Sequence, residues 1–194
     1  MTADVSLPIP GVAAEPFAGL ALPAGATAVG WRSAVSVRLD VAHPALAARV
    51  GAELGVELPH AANTVAGHAD GRHALWLGPD EWLVVDAPGQ APAIEAAVRA
   101  AALGSFAVAV DVSANRCAVE LAGPTARELL SCGCPLDLHP RAFGPGRCAQ
   151  TLLGRVGVLL HQVGPEPRYR LWVRPSFARY CAAWLTDAAI GLER

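Results

Sequence analysis

The feature that most narrows the possible folds is an order of hydrophobic periods that runs along the chain twice. Beyond Arg32, Val35, Val37 and Leu39 alternate with polar or small residues, the period of a half-buried strand. Pro44 then opens a segment with Leu46, Val50 and Leu54 at i, i+4 and i+8, one face of a helix. Asn63 to His68 reads as a strand, Asp70-Gly71 as a tight hairpin turn and His73 to Leu77 as the return strand. Trp82 to Val85, beyond the Gly78-Pro79-Asp80 turn, is a third strand. Ile94, Val98 and Ala101 line one side of a second helix, with Glu95 and Arg99 spaced i, i+4 on the other.

After an apolar strand from Phe106 to Val112 the order returns. Arg116 to Leu121 is a strand, and Gly123-Pro124 starts a helix through Leu129 and Leu130 that Gly133 can stop. Cys148 to Leu153, Val156 to Gln162 and Tyr169 to Val173 are three more strands. Ser176 can cap a last helix whose inner face is Phe177, Cys181, Trp184 and Ala188. Two units of strand, helix, three strands, helix, offset by about eighty residues, predict a duplicated α+β architecture. The domain spans 31–194, with halves at about 32–104 and 105–190. Residues 1–30, rich in Pro, Gly and Ala without a sustained period, suit neither helix nor central strand. They carry Ile9, Val12, Phe17, Leu20 and Leu22, and so read as an extended arm that lies on something, not as a free linker.

The chain has 194 residues, 53% of them hydrophobic and only 16% charged, where about 25% charged is usual. That balance supplies a core, excludes a disordered or solvating chain, and leaves apolar area to spare. All 15 basic residues are Arg, which excludes Schiff-base or Lys general-base chemistry. The net charge of −2 is interspersed and no Arg stripe forms, so a nucleic-acid partner is not expected. The longest apolar stretch, Ala93 to Val110, is broken by Glu95 and Arg99, and no basic residue precedes Arg32. Neither a membrane span nor an export signal is therefore expected. The cytoplasm is the expected compartment, with Cys117, Cys132, Cys134, Cys148 and Cys181 reduced and packed.

Candidate chemistry is sparse. Cys132-Gly133-Cys134 with His139 and Cys148 downstream supplies four residues of zinc-ligand type, but a C-x-C pair lacks the usual gap, and packed thiols explain it more simply. If Asp70 and Gly71 are the two turn residues, His68 sits directly opposite His73 on one face. Two imidazoles could begin a metal site, although no third ligand is identifiable. Gly144-Pro145-Gly146-Arg147 lacks the spacing and the helix start of a phosphate cradle and reads as a turn feeding a strand. Asp111, Ser113, Asn115 and Arg116 form a polar turn that Asx-type self-bonding explains. No nucleophile elbow, paired carboxylates or dinucleotide fingerprint is present, and no catalytic, cofactor or metal residue is assigned. Trp82 is the aromatic candidate for an interface hot spot, with burial in the chain's own core as the competing explanation.

Several phrases then occur in a specific order. Leu77-Gly78-Pro79-Asp80-Glu81-Trp82-Leu83 is followed by Asp111-Val112-Ser113-Ala114-Asn115-Arg116 and Gly123-Pro124-Thr125-Ala126-Arg127. Cys134-Pro135-Leu136-Asp137-Leu138-His139-Pro140 and Phe143-Gly144-Pro145-Gly146-Arg147-Cys148-Ala149-Gln150-Thr151 continue the match, as do Leu58-Pro59, Asn63-Thr64-Val65 and Ser176-Phe177-Ala178. Together they resemble the gamma subunits of heterotetrameric sarcosine oxidases, over about residues 32 to 190. That family is similar in fold to the folate-binding domain of glycine-cleavage aminomethyltransferases, a duplicated α+β arrangement. Where those enzymes have a G-Y-T-G-E turn, this chain has Val163-Gly164-Pro165-Glu166-Pro167-Arg168-Tyr169, so folate binding is not carried over. The resemblance implies a catalytically silent subunit that docks on alpha, beta and delta subunits. It also implies that FAD, FMN, NAD, tetrahydrofolate and zinc are held by those other subunits. The complex would demethylate sarcosine oxidatively to glycine, passing the one-carbon unit to tetrahydrofolate and producing hydrogen peroxide. A related complex acting on another N-methyl amino acid, or a stand-alone folate-dependent protein, are the other readings.

Overall fold

A computed structural model describes residues 15–40 and 42–192. Its first sheet contains β2 (Ser33–Leu39), β3 (Val65–Gly67), β4 (His73–Gly78), β5 (Glu81–Asp86) and β6 (Ala107–Asp111), in the spatial order β3-β4-β5-β2-β6. Its second contains β1 (Ala26–Val29), β7 (Cys117–Ala122), β8 (Cys148–Leu153), β9 (Val156–Gln162) and β10 (Arg168–Val173), in the order β8-β9-β10-β7-β1. All their paired neighbours are antiparallel. The two orders correspond seat by seat, so the duplication is real at the level of topology. One seat is filled unexpectedly. Phe106 to Val112, taken from sequence to open the second half, pairs with β2 and completes the first sheet. The equivalent seat beside β7 goes to β1, from the segment read as an arm. β1 is an edge strand, the one sheet position that a Pro- and Gly-rich stretch can enter.

The helices explain the long apolar runs. α1 (Pro44–Leu54) and α2 (Ala91–Ala102) cover one face of the first sheet, burying Leu46, Val50, Leu54, Ile94 and Val98 against Val35, Val37, Trp82 and Val84. α3 (Ala126–Ser131) and α4 (Ala178–Leu192) do the same for the second, placing Leu129, Leu130, Cys181 and Leu185 on Val119, Leu121, Leu160 and Leu171. The uncovered faces meet each other through Ala34, Leu75, Leu83, Val85, Ala118, Cys148, Leu159 and Trp172. Four layers result, helix, sheet, sheet, helix. A strand such as β5 is buried on both faces, and so reads as a continuous apolar run instead of an alternation.

Several local expectations need correction. Ser176 lies inside a 3-10 turn, Pro175–Phe177, and its side chain caps nothing; Phe177 is exposed, while Cys181 is buried on α4 with Ala178, Ala182 and Leu185, and Trp184 and Ala188 pack beside them as expected. Ile9 and Val12 of the proposed arm lie outside the described residues. Phe17 is buried on the helix side of the second sheet, with Leu20 and Leu22 packed beside it, so this stretch lies on the chain's own surface. Trp82 is also internal, 2% exposed, with its indole N–H donating to the Pro59 carbonyl at 2.8 Å. It is therefore a core residue, not an interface anchor.

α2 takes its cap from a distance. Buried Ser33 on β2 accepts hydrogen bonds at Oγ from the Gln90 and Ala91 amides, at 2.8 and 3.2 Å. Those are amides that the helix cannot satisfy internally. Ser33→Ala should lower the unfolding free energy by about 1–2 kcal/mol. A urea midpoint equal to that of the parent would show that the cap contributes nothing.

Candidate functional site

The layer between the sheets carries the polar chemistry, and it differs at its two ends. At one end a row runs across the second sheet. Glu120 on β7 faces Arg170 on β10, which faces His161 on β9. Arg170 is 2% exposed. It donates to Glu120 Oε2 at 2.8 Å, to the Ala69 carbonyl at 2.6 Å and to Asp70 at 3.1 Å. Arg168 adds a 2.6 Å bond to Glu120. Since Ala69 and Asp70 belong to the loop between β3 and β4, this network ties the two halves together. Burial works against the ionised Asp70, but its hydrogen bond to Arg170 and the charges of Arg168 and Arg170 outweigh it and hold the carboxyl below its usual range.

His73 reaches the same end from the first sheet, its ring centroid 5.7 Å from that of His161. Both imidazoles are buried, at 0% and 2% exposure. His73 Nδ1 is 2.9 Å from the Gly71 carbonyl and donates to it, which leaves Nε2 a bare acceptor. Burial first, and the Arg170 and Arg32 charges after it, push His73 down to about 4. Burial, His73 and the two neighbouring arginines push His161 down to about 3. Both rings are thus neutral near pH 7. Neither His73 Nε2 nor His161 Nδ1 has a hydrogen-bond partner among the described residues.

The other end splays into an open cleft of about 560 Å³, lined by Arg116, Arg174, Gln150, Leu152 and Phe177 among others. Burial and the Arg174 charge lower the Arg116 guanidinium below its ordinary value. Away from both ends, β6 and the residues before it expose Leu103, Phe106, Val108 and Val110, at 78%, 62%, 39% and 51%.

The candidates singled out from sequence scatter over this frame. His68 does not face His73. The hairpin loop is five residues, 68 to 72, and His73 lies opposite Gly67. Gly67 makes this possible at φ 87°, where a Cβ would meet the Arg72 carbonyl oxygen at 2.5 Å. His68 is exposed while His73 pairs with His161, a partner 88 residues away that no local spacing signals. Cys132 and His139 are exposed, Cys134 is buried beside Thr151, and Cys148 points at the Thr64 and Trp76 carbonyls between the sheets. These four do not converge. Among the described residues no three His, Cys, Asp or Glu side chains are disposed to hold a metal ion. Burial raises the Cys117, Cys148 and Cys181 thiols to about 12, 11 and 11, which leaves them unreactive as nucleophiles near pH 7. Gly146 and Arg147 feed β8 by backbone bonds to Gln162. Ser113 stays within the polar turn, bonding Asp111 and the Ala34 amide. Among the described residues no helix is long and apolar enough to cross a membrane.

Comparison with known proteins decides the family. Residues 38–191 match the model of the sarcosine oxidase, gamma subunit family. The chain belongs to that family. It is 43% identical over 163 residues to the sarcosine oxidase subunit gamma of an Arthrobacter species, covering 84% of this chain and 75% of that protein. It is 42% identical over 146 residues to the gamma subunit from Corynebacterium sp. strain U-96, covering 75% and 68%. Among solved structures it is similar to a chain of heterotetrameric sarcosine oxidase from Corynebacterium sp. U-96 in complex with pyrrole 2-carboxylate. The TM-score is 0.77 at 34% identity, over 89% of this chain and 88% of that one. The aminomethyltransferase T of the glycine cleavage system from Bartonella henselae matches in fold alone, with TM-score 0.59 at 16% identity over 86% of this chain and 46% of that one. The sarcosine oxidase gamma fold is therefore the duplicated α+β arrangement expected from sequence. In this chain β9 and β10 are joined by a short connection that the Val163 amide closes onto the Arg168 carbonyl at 2.8 Å.

Proposed function

We propose that this chain is a non-catalytic assembly subunit of a heterotetrameric sarcosine oxidase, docked on the alpha, beta and delta subunits. The observation that carries the reading is the likeness, at TM-score 0.77 over 89% of the chain, to a chain of a heterotetrameric sarcosine oxidase. Exposed Phe106, Val108 and Val110 stand together along one sheet edge and support it, because obligate interfaces resemble a core cut in half. In this reading FAD, FMN, NAD, tetrahydrofolate and zinc are bound by the other subunits, in the cytoplasm. The complex oxidises sarcosine to glycine there. Co-expression with those subunits should yield a stoichiometric complex that oxidises sarcosine and releases hydrogen peroxide. A chain that stays monomeric and never co-purifies with the flavoprotein subunits would overturn the assignment. Assaying the complex on other N-methyl amino acids separates sarcosine from related substrates. Calorimetry of the chain alone against tetrahydrofolate should give no heat of binding.

A further inference from the structure

The splayed end of the inter-sheet layer holds donors without acceptors. Cys117 and Val173 are the last register pair of β7 and β10, and Arg116 and Arg174 continue both strands outward with extended backbone. Alternation along each strand therefore puts both guanidiniums on the face shared by Ala118 and Trp172, side by side. Neither forms an ion pair among the described residues. Arg116 Nε is sequestered from solvent and has no acceptor. One step deeper, Trp172 is 1% exposed and its indole N–H also lacks an acceptor. Glu81, the carboxylate whose charge reaches Arg116, is engaged by Arg38 at 3.8 Å and by the Ser36 hydroxyl. Arg116 is half-buried and unpaired beside exposed Arg174, and a carboxylate bridging the two relieves their repulsion and supplies the acceptor that Arg116 Nε lacks. The cleft is not purely polar. Leu152 and Phe177, 46% and 42% exposed, form its rim.

We propose that this cleft receives an acidic segment of a partner subunit, one carboxylate bridging Arg116 and Arg174 while an apolar neighbour packs on Leu152 and Phe177. The inference rests on the assembly reading above and locates one of its contacts. A free small anion offers the charge but nothing for the apolar rim, which is why a peptide segment is favoured.

The test uses the co-expressed complex. Arg116→Gln/Arg174→Gln should weaken association of this chain with the other subunits by about tenfold or more. The melting temperature of the free chain should stay within a few degrees of the parent. Arg116→Lys/Arg174→Lys keeps the charge, loses the fork and should fall between the two. Benzoylphenylalanine placed at position 177 should photocrosslink to a partner peptide containing Asp or Glu. Unchanged association of the Gln variant, or crosslinks confined to this chain or to segments without carboxylates, would overturn the inference while leaving the assembly reading intact. If the parent chain itself does not associate, the assembly reading falls first and the inference with it. Saturable binding of inorganic phosphate by the free chain, lost in the Gln variant while subunit association is unchanged, would assign the cleft to a small anion and overturn it as well.

Discussion

Replacing Glu120 by alanine should cost about 3–5 kcal/mol of unfolding free energy, more than any single ion-pair change elsewhere in the described chain. Arg168 and Arg170 both reach Glu120, whose side chain is only 13% exposed, whereas Asp70, the other carboxylate they share, is 48% exposed. Without it, Arg170 at 2% exposure retains the Ala69 carbonyl and Asp70, and Asp70 is about half exposed. A buried guanidinium left short of its main counter-charge carries a desolvation cost that the Ala69 carbonyl and half-exposed Asp70 offset only in part. Asp70→Ala is the natural contrast. It removes a half-exposed partner that solvent already screens, and should cost under about 1 kcal/mol. A third variant separates the charge from the fold. Glu120→Leu/Arg170→Met replaces the pair by apolar side chains of similar reach, and should recover most of the loss because it leaves no buried charge unpaired. Urea denaturation of the three variants measures all of this. Equal losses for Glu120→Ala and Asp70→Ala would show that burial does not set the strength of this network.

The parts of this architecture that periodicity encodes were legible, and the reason is local. β8 and β9 are bounded by the Gly154-Arg155 turn between two apolar runs, and their limits read off directly. α1 and α2 announce themselves by apolar residues at helical spacing. What the pattern cannot carry is pairing at long range. The Asp70-Gly71 dipeptide suggested a two-residue turn, but the left-handed Gly67 lengthens the loop to five residues and shifts the register by one. A shift of one residue in an antiparallel pair moves a side chain to the opposite face. Hence His68 went to solvent and His73 alone stayed inside. Its true neighbour, His161, is brought by the packing of one half on the other, which no spacing within either half encodes. β1 was missed for a related reason. Four residues beside a Gly and a Pro show no strand period, and only the vacant seat next to β7 in the duplicated topology calls for a strand there.

That hidden histidine pair should make the protein acid-labile at a pH set by its histidines. In the unfolded chain both imidazoles take up protons below about pH 6.5. In the folded chain burial keeps them neutral until about pH 4 for His73 and about pH 3 for His161. Between those limits the unfolded state binds more protons than the folded state, so unfolding free energy must fall as pH falls. Each group contributes a slope approaching about 1.4 kcal/mol per pH unit, and the pair about twice that. From pH 7 to pH 4.5 the loss should be of order 5 kcal/mol, a large part of the stability of a domain this size. The carboxyl of Asp70, already held below its usual range, adds its own loss only at lower pH. His161→Leu removes one titration and one unpartnered buried nitrogen. It should leave stability at pH 7 unchanged or slightly raised, because no hydrogen bond of His161 Nδ1 is lost. It should also halve the slope between pH 6 and pH 4.5. Denaturant midpoints measured across that range decide the matter. A parent profile that is flat down to pH 4.5, or a His161→Leu profile as steep as the parent's, would show that the rings are charged or hydrated inside the fold.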